Sequence, residues 1–239
     1  VPRVVTIEDL GSGVKAADAV INALYDEDEP RKNVYSGYQY VCLRDEFQIE
    51  QPKVFSPKVK NIVIMFGGTD PSNLNKLVYD AVSAKSKTFE QIRFYFITGI
   101  GYDNEINGVV TCPGKNIFVY PNVPRVTKYL KEADLVMMGQ GRSIFEAACM
   151  GVPAIVLSQN EREATHSFAQ MEHGFLNLGL GKKADASLIT NTLEWLINTT
   201  SVRENMHHLM LSIPLKSGME RVKRIILGDD NLGYDHRTL

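Results

Sequence analysis

From Asn61 onward the sequence sets short, continuously apolar runs between segments of helical periodicity. The apolar runs are Ile62–Phe66, Phe94–Thr98, Ile117–Tyr120, Leu135–Met138 and Ala154–Leu157. A strand that is apolar at every position, rather than at every second one, has to be covered on both faces. Between these runs, Leu74, Leu77, Val78, Ala81 and Val82 repeat at the spacing of one helical face, as do Val126, Tyr129, Leu130 and Ala133, and Ser143–Met150 marks a third helix. Strands alternating with helices need crossover connections, which predicts an α/β fold: a Rossmann-like parallel sheet with helices on both faces. Beyond His173 the pattern reads as mostly helical, with Ile189, Leu193, Leu196 and Ile197 striping one helix and Met219–Leu227 forming another.

The first fifty residues read differently. Val4–Ile7 is a strand, Glu8-Asp9 and Gly11-Ser12-Gly13 are a turn, Val14–Leu24 is a helical stretch, and Asp26–Glu29 with Pro30 is an acidic surface break. A short strand follows at Tyr38–Leu43. The segment Gln48–Lys60, with Pro52 and Pro57, has the composition of a linker. The expected organisation is a remnant half-domain over 1–50, a linker over 51–60, a Rossmann-like domain over 61–228 and a tail over 229–239. Because the chain opens on Val1-Pro2 and enters a strand at once, it is expected to be part of something longer.

Charge and composition exclude several classes. Lys and Arg number 26 against 28 Asp and Glu, a formal charge of −2 with no long basic run, so a nucleic acid held by phosphate neutralisation is not an expected partner. Cys42, Cys112 and Cys149 are odd in number and widely spaced, which fits neither a disulfide framework nor a zinc knuckle; they read as small core residues in a reducing compartment. No apolar run approaches the roughly 20 residues that span a bilayer, so a soluble, cytoplasmic protein with no membrane partner is expected. The sequence lacks G-x-G-x-x-G after a strand, G-x-x-x-x-G-K-[ST], H-E-x-x-H and G-x-S-x-G, the signatures of nicotinamide, ATP-hydrolysing, zinc-protease and serine-esterase chemistry. His207-His208 have no carboxylate or cysteine at ligand spacing and read as surface residues.

Three loops each follow an expected parallel strand, at the edge where open α/β sheets bind ligands. The first is Gly67-Gly68-Thr69-Asp70, in which glycine lets backbone approach a phosphate; Asp70 caps a helix that starts at Pro71. A plain structural turn is the alternative. The second is Gly139-Gln140-Gly141-Arg142-Ser143, where glycines, a hydroxyl and a helix N-terminus can cradle a diphosphate without a P-loop lysine. Glu146 lies three residues past Ser143, a spacing that serves either a capping box or acceptance of hydrogen bonds from two ribose hydroxyls. The third is Ser158–His166, which either faces a ligand or starts a helix capped by Asn160. His166 is a candidate acid or base there, with a packing or surface role as the alternative. Arg142 and helix amides can take phosphate charge, so neither a metal nor a cofactor is required.

Taken together, Ile62-Val-Ile-Met-Phe-Gly-Gly-Thr-Asp-Pro-Ser-Asn73, Asn116-Ile-Phe-Val-Tyr120 and the run from Ala133 through Gly139-Gln-Gly-Arg-Ser143 and Glu146 to Pro153 resemble the nucleotide-sugar half of a glycosyltransferase-B-type protein. The group most resembled is the UDP-sugar hydrolase of the pseudaminic-acid pathway with the SpsG-like spore-coat polysaccharide proteins. Val4–Asp9, Ala17–Asn22 and Cys42–Phe47 look like the same group, so the similarity extends to about Gly179. The resemblance implies that Gly67, Gly68 and Thr69 line a diphosphate, that Asn73 supports that loop, and that backbone around Tyr120, Asn122 and Val123 reads the uracil edge. It implies that Gln140, Gly141, Arg142 and Ser143 meet the phosphates and that Glu146 holds the ribose. The group often carries Asn-Gln before its final helix; Gln159-Asn160-Glu161-Arg162-Glu163 stands here, a departure bearing on any sugar contact by Asn160.

The resemblance further implies the UDP-sugar-binding part of a hydrolase that cleaves the sugar–diphosphate bond by water attack. Its proposed catalytic histidine belongs to an N-terminal half-domain absent from this chain, which leaves His166 as the one local candidate for the base. Implied partners are a UDP-sugar, that missing half-domain or a fused cytidylyltransferase that makes CMP-nonulosonic (sialic or pseudaminic) acids; a homodimer is left open. Two alternatives stand beside this reading: a degenerate assembly or regulatory module fused to the synthetase, and the C-terminal domain of a glycosyltransferase.

Overall fold

The computed structural model describes residues 3–27 and 31–228. The Val1-Pro2 start, part of the acidic run with Pro30, and the expected tail 229–239 lie outside the described residues. The elements are β1 (Val5–Ile7), β2 (Ala19–Asn22), β3 (Val34–Ser36), α1 (Asp45–Ile49), β4 (Asn61–Met65), α2 (Leu74–Ala84), β5 (Arg93–Thr98) and β6 (Ile117–Pro121). They continue through α3 (Thr127–Glu132), β7 (Leu135–Gly139), α4 (Ser143–Met150), β8 (Ala154–Ser158), β9 (Phe175–Leu180), α5 (Ala186–Asn198), α6 (Thr200–Leu211) and α7 (Gly218–Leu227). The chain divides into two compact units, one combining the chain up to Arg44 with the stretch from Pro214, the other formed by Asp45–Ile213.

The larger unit is a parallel sheet of six strands in the order β6-β5-β4-β7-β8-β9. Alternate residues of each strand point to opposite faces. Ile62, Ile64, Phe94, Phe96, Leu135, Met137 and Ile155 therefore form one core layer, closed by Leu74, Val78 and Val82 of α2 and by Ile189, Leu193 and Leu196 of α5. Their neighbours Val63, Val136 and Val156 are equally buried on the other face, where α3 packs on β4 and α4 on β7. Both faces are covered, as the unbroken apolar runs require.

The smaller unit carries a three-stranded parallel sheet, β1-β2-β3. Val222 and Ile225 of α7 pack against Ala19 and Ile21 of β2. Three expectations are corrected in or near this unit. Val14–Leu24 is not helical: a 3₁₀ turn at Ser12–Lys15 precedes β2, whose Ala-Val-Ile-Asn is buried at all four positions, an environment that suits β-branched residues in a strand. The strand expected at Tyr38–Leu43 falls earlier, at β3, because Gly37 at φ 98° breaks the chain into a 3₁₀ turn over Tyr38–Tyr40. Cys42 is exposed, while Cys149 is buried and Cys112 intermediate.

In the larger unit, the chain beyond His173 is not simply helical: Phe175–Leu180 adds β9 beside β8 before α5 begins. His207 is buried, not superficial, with Nδ1 against the Gly151 carbonyl at 2.6 Å. The unit boundary falls at Arg44/Asp45, whereas the sequence placed a linker over 51–60, and α7 joins the first unit where a single domain to 228 was expected. The 51–60 segment is clasped rather than loose. The Lys53 amide donates to Met150 O at 2.9 Å and its ammonium pairs with Asp134 at 2.8 Å. The other Asp134 oxygen accepts from Lys60 N at 2.8 Å and Asn61 N at 3.1 Å.

Arg203 completes the clasp. Its side chain is fully buried, donating from Nε to Leu196 O at 2.8 Å, from Nη1 to Ser56 O at 3.2 Å and from Nη2 to Pro57 O at 2.7 Å. The guanidinium also lies 5.8 Å from the Phe55 ring centroid. Among the described residues no helix is long and apolar enough to cross a membrane. Replacing Arg203 by Met keeps the apolar bulk but strips three carbonyls, that of Leu196 buried, of their charged donor, so Arg203→Met should lower the urea-unfolding free energy by about 2–4 kcal/mol. A loss below about 0.5 kcal/mol, the range of a neutral surface change, would mean that these bonds do not hold the segment.

Candidate functional site

In chain order the larger sheet winds outward from β4 through β5 to β6, then returns beside β4 and winds the other way through β7, β8 and β9. Connections leaving β4 and β7 therefore diverge, opening a crevice beyond their carboxyl ends. Met65 pairs with Met138 in register, and a Cβ built on Gly139 would stand 4.0 Å from Phe66 Cα. The Gly67 and Gly139 loops thus begin side by side.

In the first loop Gly67, Gly68 and Thr69 are exposed. Gly67 has φ +80°, and a Cβ built on Gly67 or Gly68 would meet nothing within 4 Å; this stretch of backbone stands open to a ligand. Asp70 does not cap a helix beginning at Pro71. The helix starts at Leu74, and the buried Asp70 carboxylate reaches along a turn to accept from Leu74 N at 2.9 Å and Asn75 N at 2.8 Å. Positive φ at both Asp70 and Asn73 makes that turn, a conformation Asp and Asn tolerate better than most residues. Asn73 accepts from the Tyr102 hydroxyl at 2.6 Å and donates to Asn107 at 2.9 Å, tying the loop to the chain after β5. Burial, then the Asp70 charge, pushes the Tyr102 phenol well above its ordinary pKa, so it stays a donor.

The loop after β5 lies directly against the first. Gly101 N donates to Gly68 O at 2.9 Å, and a Cβ on Gly99 would fall 2.3 Å from Gly68 Cα. No side chain fits between those backbones.

In the second loop the structure separates residues that the sequence grouped. The Gln140 side chain is 1% exposed and turned inward, donating to His166 O at 2.7 Å and accepting from Ser158 Oγ at 2.6 Å and Asn177 Nδ2 at 3.2 Å. The side chain is thereby given a framework role, since its carbonyl oxygen accepts twice and its Nε2 donates to His166 O, which leaves the backbone amide as the part of Gln140 that faces the loop. Arg142 is exposed, and Gly141, Ser143 and Glu146 are half-buried. Ser143 is the first residue of α4, and the N-cap residue Arg142 makes no side-chain cap bond, so the Ser-x-x-Glu spacing is not a capping box. Ser143 and Glu146 lie three apart in the first turn, on one helical face and at its positive end.

His166 is also corrected. It is 6% exposed, and its Nδ1 faces the Gln140 carbonyl at 2.5 Å, a packing and hydrogen-bonding role rather than an open base. Asn160 accepts from Glu163 N at 3.0 Å, at the start of a short 3₁₀ turn. Tyr120 lies near the end of β6 and Asn122 and Val123 follow it, two strands from β4 and so roughly 10 Å across the sheet. Asn122 has φ +48° and its N–H donates to Thr98 O at 2.8 Å, while Tyr120 is 37% exposed.

Two residues outside the expected set join the loops. Gln159 donates to Asp70 Oδ1 at 2.7 Å and Phe66 O at 3.0 Å and accepts from Ser72 N at 3.1 Å, bridging the ends of β4 and β8. Glu163 places a carboxylate oxygen 2.8 Å from Gln159 N and 3.3 Å from Gln140 N. The only sequence signal for either was the polar density of the Ser158–His166 loop. Among the described residues no group of three or more His, Cys, Asp or Glu is arranged to hold a metal ion. Gly99→Ala should force the Gly68 backbone to move and lower stability by about 1–3 kcal/mol in denaturant titrations. A neutral result would mean that the two loops are not in contact in solution.

Residues 62–173 match the glycosyltransferase family 28 C-terminal domain. The chain is 31% identical over 214 residues to an uncharacterized protein of Methanocaldococcus jannaschii, covering 75% of this chain and 44% of that one. It is 24% identical over 216 residues to the spore coat polysaccharide biosynthesis protein SpsG of Bacillus subtilis, covering 84% of this chain and 61% of that one. It therefore spans only about half the length of the curated relatives it matches. Among solved structures, Acinetobacter baumannii MurG aligns with a TM-score of 0.61 at 15% identity, over 90% of this chain and 62% of that one. A variant of S. aureus TarM in complex with UDP aligns with a TM-score of 0.59 at 16% identity, over 90% of this chain and 44% of that one. The fold is the glycosyltransferase-B type that the sequence resembles.

Proposed function

We propose that the larger unit binds the nucleoside diphosphate of a UDP-sugar in the crevice between β4 and β7, and that the protein acts on the sugar–diphosphate bond in polysaccharide or nonulosonic-acid biosynthesis. The observation that carries this reading is the open Gly67–Thr69 backbone beside the first turn of α4 at the reversal of strand order. Gly67, Gly68 and Thr69 line the diphosphate on one side. Gly141, Arg142 and Ser143 meet it on the other with amides, a guanidinium and a hydroxyl. Glu146 accepts from the ribose hydroxyls, and backbone at Tyr120–Val123 reads the uracil edge. Asn73 and Gln140 hold the loops in place. The name of the B. subtilis relative and the UDP in the TarM structure support this substrate class.

Hydrolysis by water, with release of UDP, is the reaction favoured by the Gly67-Gly-Thr-Asp-x-x-Asn73 run. The base that activates water is proposed to lie outside these loops, since His166 is held against Gln140. Transfer to an acceptor is the second reading, favoured by the match to the family 28 domain. Release of free sugar from a UDP-sugar in water alone, by this chain joined to its N-terminal half, would support the first; sugar released only with an acceptor would support the second.

Calorimetric titration with UDP should give saturable binding. Glu146→Ala should weaken it by roughly 1.5–3 kcal/mol, the value of a charge-assisted hydrogen bond. No heat with UDP, UMP or CMP would sink the nucleotide reading and favour an assembly module fused to a cytidylyltransferase.

A further inference from the structure

The amides of Gln140 and Gln159 leave the ends of neighbouring strands β7 and β8 and converge on a single carboxylate oxygen of Glu163. Paired backbone N–H groups at strand ends are the donors that oriented-amide sites offer to anions. Glycine flanks the carboxylate on both sides, so backbone rather than side chains borders it: a Cβ on Gly139 would stand 3.7 Å from one Glu163 oxygen and one on Gly141 would stand 3.8 Å from the other. The seat lies at the crevice where the diphosphate is proposed to bind, so it already holds a negative charge of the chain's own. A phosphate and a carboxylate cannot share two amides, and like charges in a half-buried crevice repel.

We infer that the Gln140 and Gln159 amides form a phosphate seat, and that Glu163 is its internal occupant, displaced when a diphosphate binds. The displacement is local. Glu163 opens the 3₁₀ turn Glu163–Thr165, set within a largely exposed loop from Asn160 to Thr165, so the side chain can leave without moving a strand. Glu163 thereby sets the affinity of the site and favours ligands whose charge at this position exceeds its own. This inference rests on the nucleotide reading of the same crevice.

The test titrates UDP and, separately, inorganic pyrophosphate into the chain and its Glu163→Gln and Glu163→Ala variants, following the Gln140 and Gln159 amide resonances. Glu163→Gln keeps an acceptor for both amides and removes only the charge, which preserves the loop should the alanine variant fail to fold. UDP is expected to bind the glutamine variant about five- to fifty-fold more tightly than the parent chain, and both ligands to move the two amide signals. UDP affinity that is unchanged or weaker in folded Glu163→Gln, with both signals still, overturns the seat while leaving the nucleotide reading intact. Pyrophosphate moving both signals with no UDP bound to any form supports the seat and overturns the nucleotide reading.

Discussion

The structure depends on the reversal of strand order between β4 and β7. In a parallel sheet every connection crosses from one strand's carboxyl end to the next strand's amino end, and while the winding continues in one direction each crossover shields its neighbour. Where the direction changes, two adjacent strands release their chains to opposite sides. Here the strands concerned end in Phe66-Gly67-Gly68 and Gly139-Gln140-Gly141, which bring backbone rather than bulk to the gap. The apolar strands fix the sheet, the sheet fixes the reversal, and the reversal exposes those few amides.

A frame of buried polar groups keeps the gap from collapsing. Asp70, Gln159 and Ser72 bond the end of β4 to the end of β8, and Gln140 bonds the end of β7 to His166 and Asn177. Asp70, Gln140, Gln159 and His166 are buried and paired, as low-dielectric surroundings demand, and Ser72 and Asn177 bond to them from more open positions. At the opposite edge Asp134 and Arg203 fasten the 51–60 segment, so the crevice is formed on a sheet held at both ends. The side chains of Gln140 and His166, which look chemically active in the sequence, are in space, together with that of Gln159, the carpentry around the opening.

The parts of the fold read correctly from sequence are those with an unambiguous period: five of the six strands of the large sheet, and the stripes of α2 and α5. The short elements failed where local pattern and tertiary setting disagree. Ala17–Asn22 is too brief to separate a buried strand from a helix by periodicity, and only its pairing with β1 and β3 decides the matter. Phe175–Leu180, with Asn177 and Gly179 inside it, lacks the unbroken apolar run of the other strands because it lies at the sheet's edge with only β8 beside it. In the site, loop positions were legible because glycine and helix-start signals are local. The orientations of Gln140 and His166 were not, since the bonds that turn them inward come from residues 18 to 37 positions away.

Arg203 is a cation hydrogen-bonded to neutral groups: the carbonyls of Ser56, Pro57, Leu196 and Ile197 and the Thr200 hydroxyl. Dissolved ions screen solvent-facing pairs such as Lys182 with Glu161, whereas a buried guanidinium held by peptide dipoles gives them little to screen. Brine would therefore slacken the outer ionic contacts of this molecule long before it reached the clasp that closes its frame.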